Sequence, residues 1–226
     1  MKNKILFLLA ALLLLGVTAN SQTTGTSFGL RGGVNFQTIN GKDLNGDQLK
    51  LNMVPRFHVG VVVGIPVAPD FYFQPGLLFT TKGAKSKDRF LGMDMSVEYN
   101  ISYIELPMNF LYKPMLGNGH FLLGFGPYLA YGIGGKAKFT IGTLSTEEKI
   151  VFTKDYTPED QNDWKYFKNL DYGGNLFFGY ELSSGISLQV NTQLGLAKIN
   201  ADNKTLSNNK SEFRNTGFGL SLGYNF

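Results

Sequence analysis

After residue 22 this sequence shows no helical period. Its apolar side chains recur at every second position, in segments of about ten residues, which is the spacing of strands whose two faces meet different surroundings. From Ser27 to Gln37, Phe28, Leu30, Val34 and Phe36 alternate with Gly29, Arg31, Gly33 and Asn35. From Arg56 to Pro66, Phe57, Val59, Val61 and Ile65 oppose His58, Gly60 and Gly64. From Phe71 to Thr81, Phe73, Leu77 and Phe79 oppose Gln74, Gly76 and Thr80. A fourth segment, Glu98 to Tyr112, sets Ile104, Leu106, Met108 and Phe110 against Ser102, Glu105 and Asn109. Four more follow, from about Phe121 to Ile133, Asp171 to Leu182, Ile186 to Leu196 and Thr216 to Phe226.

Eight is an even number, as a closed antiparallel barrel of the outer-membrane type needs. The connections alternate in length. Val67 to Asp70, Pro114 to Gly119 and Ser183 to Gly185 are short; Thr38 to Pro55, Lys82 to Val97, Gly134 to Leu170 and Asn200 to Glu212 are long. Short periplasmic turns and long external loops give that rhythm, which places both chain ends on the periplasmic side. The longest connection alternates again at Lys138 to Ile141 and Lys149 to Phe152, read here as a hairpin prolonging strands five and six beyond the membrane. Pro75, Pro107 and Pro127 lie inside segments of a barrel with no free edge. Each removes a ladder donor, so bulges or register irregularities are expected there.

Alternation alone does not say which face looks outward, and a soluble eight-stranded barrel holds its apolar face inside. The polar face here is Gly, Ser, Asn and Gln with few Lys or Glu, whereas a wet sheet surface is charged. Only 17% of the residues are charged, against about 25% in ordinary soluble domains. The apolar rows also end in rings, among them Phe28, Phe71, Tyr112, Tyr180, Tyr224 and Phe226. Rings with one wet end favour the headgroup level. The apolar face is therefore expected to meet lipid.

The N-terminus reads separately. Lys2 and Lys4 precede an apolar run from Ile5 to Val17, too short to span a bilayer, and Ala19-Asn20-Ser21 has the small residues of a cleavage site. Residues 1–21 are expected to be a signal peptide and residues 22–226 the barrel domain. Loss of the two lysines lowers the formal net charge from +4 to +2, too little to argue for a nucleic-acid partner. With zero Cys in an exported chain, closure of the sheet has to supply the stability that disulfides give elsewhere.

The end of the chain, Phe218-Gly219-Leu220-Ser221-Leu222-Gly223-Tyr224-Asn225-Phe226, resembles the C-terminal signature of bacterial outer-membrane proteins. That resemblance implies a partner, the barrel-assembly machinery, which reads the last strand ending at Phe226. Gly29-Leu30-Arg31-Gly32-Gly33-Val34-Asn35-Phe36, Gln74-Pro75-Gly76-Leu77-Leu78-Phe79 with Lys82-Gly83, and Tyr103-Ile104-Glu105-Leu106-Pro107 resemble the outer membrane protein beta-barrel domain family, often called PorT-like. The likeness runs from about Phe28 to Phe226. It implies fold and place, the cell outer membrane. One member of the family is associated with a protein-secretion system and most have no assigned activity, so no functional residues carry over.

Arg31, His58, Glu105 and Glu181 are the conspicuous ionisable residues on the inward rows. They read first as a salt-bridge network filling the lumen, since buried charges must be paired. A polar constriction or small-ligand site is the functional alternative. His58 with a carboxylate such as Glu105 raises a lipid-modifying hydrolase, but no motif sets a Ser beside it. His120, near a short turn, reads as interfacial. No His/Asp/Glu spacing marks a metal site, and no cofactor or catalytic residue is expected. Asp43-Leu44-Asn45-Gly46-Asp47 lacks the Glu a calcium loop needs and reads as a turn. Lys82, Lys85, Lys87 and Arg89, placed in a long loop, are candidates to meet lipopolysaccharide phosphates. The favoured role is a structural or interaction barrel whose external loops meet envelope proteins; a narrow channel for small solutes is the alternative.

Overall fold

The computed structural model describes residues 25–90, 92–157, 165–205 and 210–226. The expected signal peptide and its cleavage site lie outside the described residues. Among them, eight long strands carry the fold: β1 Ser27–Lys42, β2 Val54–Ala68, β3 Phe71–Lys82, β4 Met93–Tyr112, β5 Gly119–Ile141, β6 Leu170–Leu182, β7 Ile186–Gly195 and β8 Glu212–Asn225. Each pairs antiparallel with its sequence neighbour. β8 returns to β1 in continuous register from Gly29–Asn225 to Lys42–Glu212. The sheet is thus an up-and-down barrel closed on itself, and the start of β1 and the end of β8 lie at the end bearing the short turns.

The predicted rows hold. Phe28, Leu30, Val34, Phe57, Val59, Phe110, Phe125, Leu176, Phe178, Leu188 and Leu220 all face outward and exposed, while Arg31, Asn35, His58, Gln74, Glu105, Asn109, Gln189 and Ser221 are buried inside. Outward rings meet across neighbouring strands, as Phe36 with Phe218 at 5.3 Å and Phe71 with Tyr112 at 4.7 Å between centroids. Ser102 is the exception. It faces outward, because β4 keeps Ile101, Tyr103 and Glu105 on the inner row.

The irregularities are not where the prolines predicted them. The register shifts at Pro66/Ala68 and at Ser102/Tyr103. Near Pro75, Pro107 and Pro127 the register is unchanged on either side. A missing N–H removes one bond; only an extra residue moves the register. At the tight turn after β2, Asp70 takes a left-handed φ of 60°, which Asp tolerates better than a branched residue.

At the long-loop end the strands outrun their apolar rows. β4 and β5 stay paired up to Met95–Ile141. Lys85–Phe90 folds back on β4, and Leu144–Lys149 folds back on β5. The hairpin expected in the longest connection is therefore present, prolonging strand five and flanked by strand four rather than six. Loop segments then fold inward over the mouth. Val151–Phe152 pairs with Tyr166–Phe167, and Asp155–Tyr156 with Asp202–Asn203, both in parallel. Ile150, Phe167 and Ile199 from the loops pack with Ile39, Tyr99, Ile101, Tyr103 and Tyr128 from the wall into an apolar cluster. Each such side chain taken from water stabilises the cap by about 1.5–3 kcal/mol.

Outward position and depth together set the cost of a charge. Leu220→Arg, mid-strand between Val34 and Val190, is expected to cost about 2–4 kcal/mol, and Leu182→Arg, at the end of β6, about 0–1 kcal/mol. Urea titration of folding into lipid vesicles measures both; equal costs would contradict a lipid-facing row.

Candidate functional site: the filled lumen

An eight-stranded barrel leaves an interior that side chains nearly fill. Here they fill it in tiers. Nearest the cap, Lys82 has no exposure, with its Nζ 2.9 Å from Glu105 Oε2 and 3.0 Å from Asp171 Oδ2. Asn215 Nδ2 donates to Asp171 at 3.0 Å and the Tyr128 hydroxyl donates to the same carboxylate at 3.3 Å. The ammonium also lies 4.1 Å from the Tyr128 ring centroid. Two carboxylates on one lysine leave this cluster with an excess negative charge. Gln193 Nε2 joins it to the next tier, donating to Glu105 Oε1 at 3.0 Å and to Asn175 Oδ1 at 2.9 Å.

The middle tier holds His58, with Nδ1 2.8 Å from Asn35 Oδ1 and Nε2 2.9 Å from Ser221 Oγ. Asn35 Nδ2 faces Thr80 Oγ1 at 3.5 Å, which leaves its Oδ1 to accept. The network then assigns a proton to Nδ1, and Nε2 pairs with the Ser221 hydroxyl. Asn191 Nδ2 donates to the same Oγ at 2.6 Å. Both ring nitrogens are thus engaged. Below it, Arg31 Nη2 donates to Gln74 Oε1 at 2.9 Å, and its guanidinium lies 5.1 Å from the Phe177 ring centroid. Phe177, Leu111 and Leu122 make an apolar patch beneath. At the short-turn rim Glu181 meets Lys113 at 2.6 Å and accepts from Asn225.

Glycine makes room for the large members. A Cβ at Gly124 would stand 2.1 Å from the Phe177 ring, and one at Gly33 would stand 2.7 Å from His58 Cε1. Between the Arg31 and Glu105 levels a polar chamber of ≈ 60 Å³ remains, measured over the positions a water centre can take. That is space for a few waters.

All four inward candidates therefore lie in the lumen, but they do not form one network with each other. Arg31 goes to Gln74, His58 to Asn35 and Ser221, Glu105 to Lys82, and Glu181 to Lys113. The structure does set a serine beside His58, from the far end of the sequence; it points into the barrel, away from lipid. His120 is half-buried beside the short turn, paired with Met115 and Glu181 in the ladders. Asp43 spends one carboxylate oxygen accepting from the N–H groups of Asn45, Gly46 and Asp47, a turn cap.

The chief correction concerns Lys82, expected in an external loop against lipopolysaccharide and found buried inside the barrel beneath the cap. Its signal was present: Lys82 shares the parity of Gln74, Gly76 and Thr80. Asp171 and Phe177 likewise share the inward parity of Asn175. Outside the barrel, Lys168 and Lys198 clasp Asp202 at 2.8 and 2.6 Å. Burial raises the Asp202 carboxyl, but these hydrogen bonds win and hold it below its ordinary value.

Removing one partner of a buried cluster strands the others. Lys82→Met is expected to cost about 3–5 kcal/mol in urea unfolding, whereas the triple variant Lys82→Met, Glu105→Gln, Asp171→Asn recovers most of that loss. Equal destabilisation by the two would show that the charges are not coupled.

The sequence model of the outer membrane protein beta-barrel domain family matches residues 19–201. No curated protein sequence matches the chain. Among solved structures, neisserial surface protein A is similar at 11% identity and a TM-score of 0.45, over 89% of this chain and 99% of its own. OprG of Pseudomonas aeruginosa is similar at 14% identity and a TM-score of 0.42, over 88% of this chain and 95% of its own. The attachment invasion locus protein Ail of Yersinia pestis is similar at 9% identity and a TM-score of 0.37, over 88% and 98%. With its family matched over most of its length, the chain belongs to the outer membrane protein beta-barrel domain family, and its place is the cell outer membrane.

Proposed function

We propose that the protein is a closed barrel that anchors and displays its loop-end surface to an envelope or extracellular partner, and does not conduct solutes. The observation that carries this reading is double closure of the lumen. The Lys82 cluster lies under an apolar cap at one end, and Glu181 with Lys113 stands at the other. A conducting path would have to break a buried ion cluster and lift the cap. The paired loop segments, conversely, make a surface with fixed shape. In this reading the chain is exported by its N-terminal signal, is assembled through the strand ending at Phe226, and points its long loops outward. Lipopolysaccharide phosphates then meet rim cations such as Lys87, while Lys85 is engaged by Glu98 at 3.4 Å.

The hydrolase alternative loses support for a physical reason. A lipid ester travels along the outer face of the barrel, whereas Ser221 and His58 are buried inside beside a chamber smaller than an acyl chain. A narrow channel is the remaining competitor, and the polar chamber is the feature that favours it.

Planar-bilayer recording of the purified protein separates the two. The closed barrel gives no sustained conductance steps; a stable open pore overturns the reading. Orientation is tested by single substitutions in this Cys-free chain. Ser145→Cys, exposed on the loop-end hairpin, should react with an impermeant maleimide on intact cells, and Ser184→Cys, in the β6–β7 turn, only after lysis. The reverse pattern would invert the assigned topology.

A further inference from the structure

We infer that the luminal chamber is a binding site for one small monovalent anion, of halide, formate or nitrate size, held by the Arg31 guanidinium. Arg31 differs from the other luminal cations. Lys82 touches two carboxylates and Lys113 touches one. Among the described residues, no carboxylate lies within 4 Å of Arg31. Its only side-chain acceptor among the described residues is the neutral Gln74 amide. Beyond the Phe177 ring face, 5.1 Å away, a buried guanidinium in that state keeps most of its five donors free and has no anionic partner at contact distance.

Those donors have somewhere to go. Arg31 lines the chamber, and none of its nitrogens is sealed in the wall without a partner, unlike Nε of Arg56 and Arg214. The facing wall is made of neutral groups such as Asn109, Asn175 and Thr192. One acidic group also lines it, Glu105, whose two oxygens are held by Lys82 and Gln193. That carboxylate limits the ligand's charge. Arg31, Lys82 and Lys113 balance Glu105, Asp171 and Glu181, so a monovalent anion leaves one net charge in a low-dielectric interior and a divalent one leaves two. Volume limits its size, because ≈ 60 Å³ of water-accessible room admits an ion and a few waters but not a sugar or a phosphate ester.

A ligand bound only by the folded barrel raises its stability by mass action. The experiment follows heat-induced unfolding of the purified barrel in detergent at fixed ionic strength, with gluconate replaced stepwise by bromide, chloride, nitrate or formate. A saturable rise in the midpoint is expected for the wild type, absent in Arg31→Gln and partly kept in Arg31→Lys. Crystals soaked in bromide should show an anomalous peak within hydrogen-bond reach of the guanidinium. Wild-type midpoints indifferent to the anion, or a dependence that survives in Arg31→Gln, would overturn the site. So would bromide found at surface lysines only, an adventitious ion only. Should Arg31→Gln fail to fold, the wild-type bromide map decides alone.

Discussion

Everything in this molecule follows from the requirement that a backbone crossing hydrocarbon must satisfy all its N–H and C=O groups within the protein. A sheet does that only by closing, and the β1–β8 ladder, running unbroken from Gly29–Asn225 to Lys42–Glu212, is the closure. Once the ring has eight strands its diameter is set, and with it the volume inside. The lumen is then a packing problem of fixed size, and its contents become the most constrained part of the sequence. The prolines obey the same rule. A barrel tolerates Pro75, Pro107 and Pro127 as isolated missing donors because the bonds on either side keep the register.

Closure also explains the ionic interior. Side chains on the inner rows cannot reach bulk water, so a charge there needs a partner supplied by another strand. Lys82 from β3, Glu105 from β4 and Asp171 from β6 meet across the barrel, with Asn215 from β8 also donating to the Asp171 carboxylate. With Tyr128 of β5 on the same carboxylate, five strands are tied by one cluster. Such a cluster contributes little net energy against an apolar filling, but it admits only one relative arrangement of those strands, because any slip of register separates the charges. The apolar cap above it adds the burial energy that the cluster lacks.

How much of this was legible depended on what each signal encodes. Alternation encodes face, so the outward rows of Leu30, Val59, Phe125 and Leu188 and the inward positions of Arg31, His58, Glu105 and Glu181 followed from parity. It does not encode partners, which are set by barrel stagger across distant strands. Hence Ser221 beside His58, 163 positions away in the chain, was invisible. Strand ends failed for a different reason. Apolar outward residues mark a strand only while lipid surrounds it, and β4 and β5 continue into water, where the outward row turns polar at Asn100, Lys136 and Lys138. Lys82 fell at such an end: its charge suggested a loop, although its parity with Thr80 pointed inward. The cap was hidden too, since Ile150, Phe167 and Ile199 look like scattered apolar residues in polar loops until the barrel mouth beneath them exists.

The 28 glycines, which at first look like a flexible composition, carry the opposite meaning. Inside a narrow barrel a missing side chain is a place for a neighbouring strand's large one. Gly124 is where Phe177 lies, Gly33 is where His58 lies, and Gly132 receives Phe152 from the folded loop. At these positions a large side chain on one strand lies where its neighbour has none. Gly at these positions is a packing residue, and the aromatic or imidazole ring it accommodates helps close the lumen. This is also why the remaining chamber is informative: in an interior packed this fully, room left beside a buried guanidinium is room that the surrounding side chains were not needed to fill.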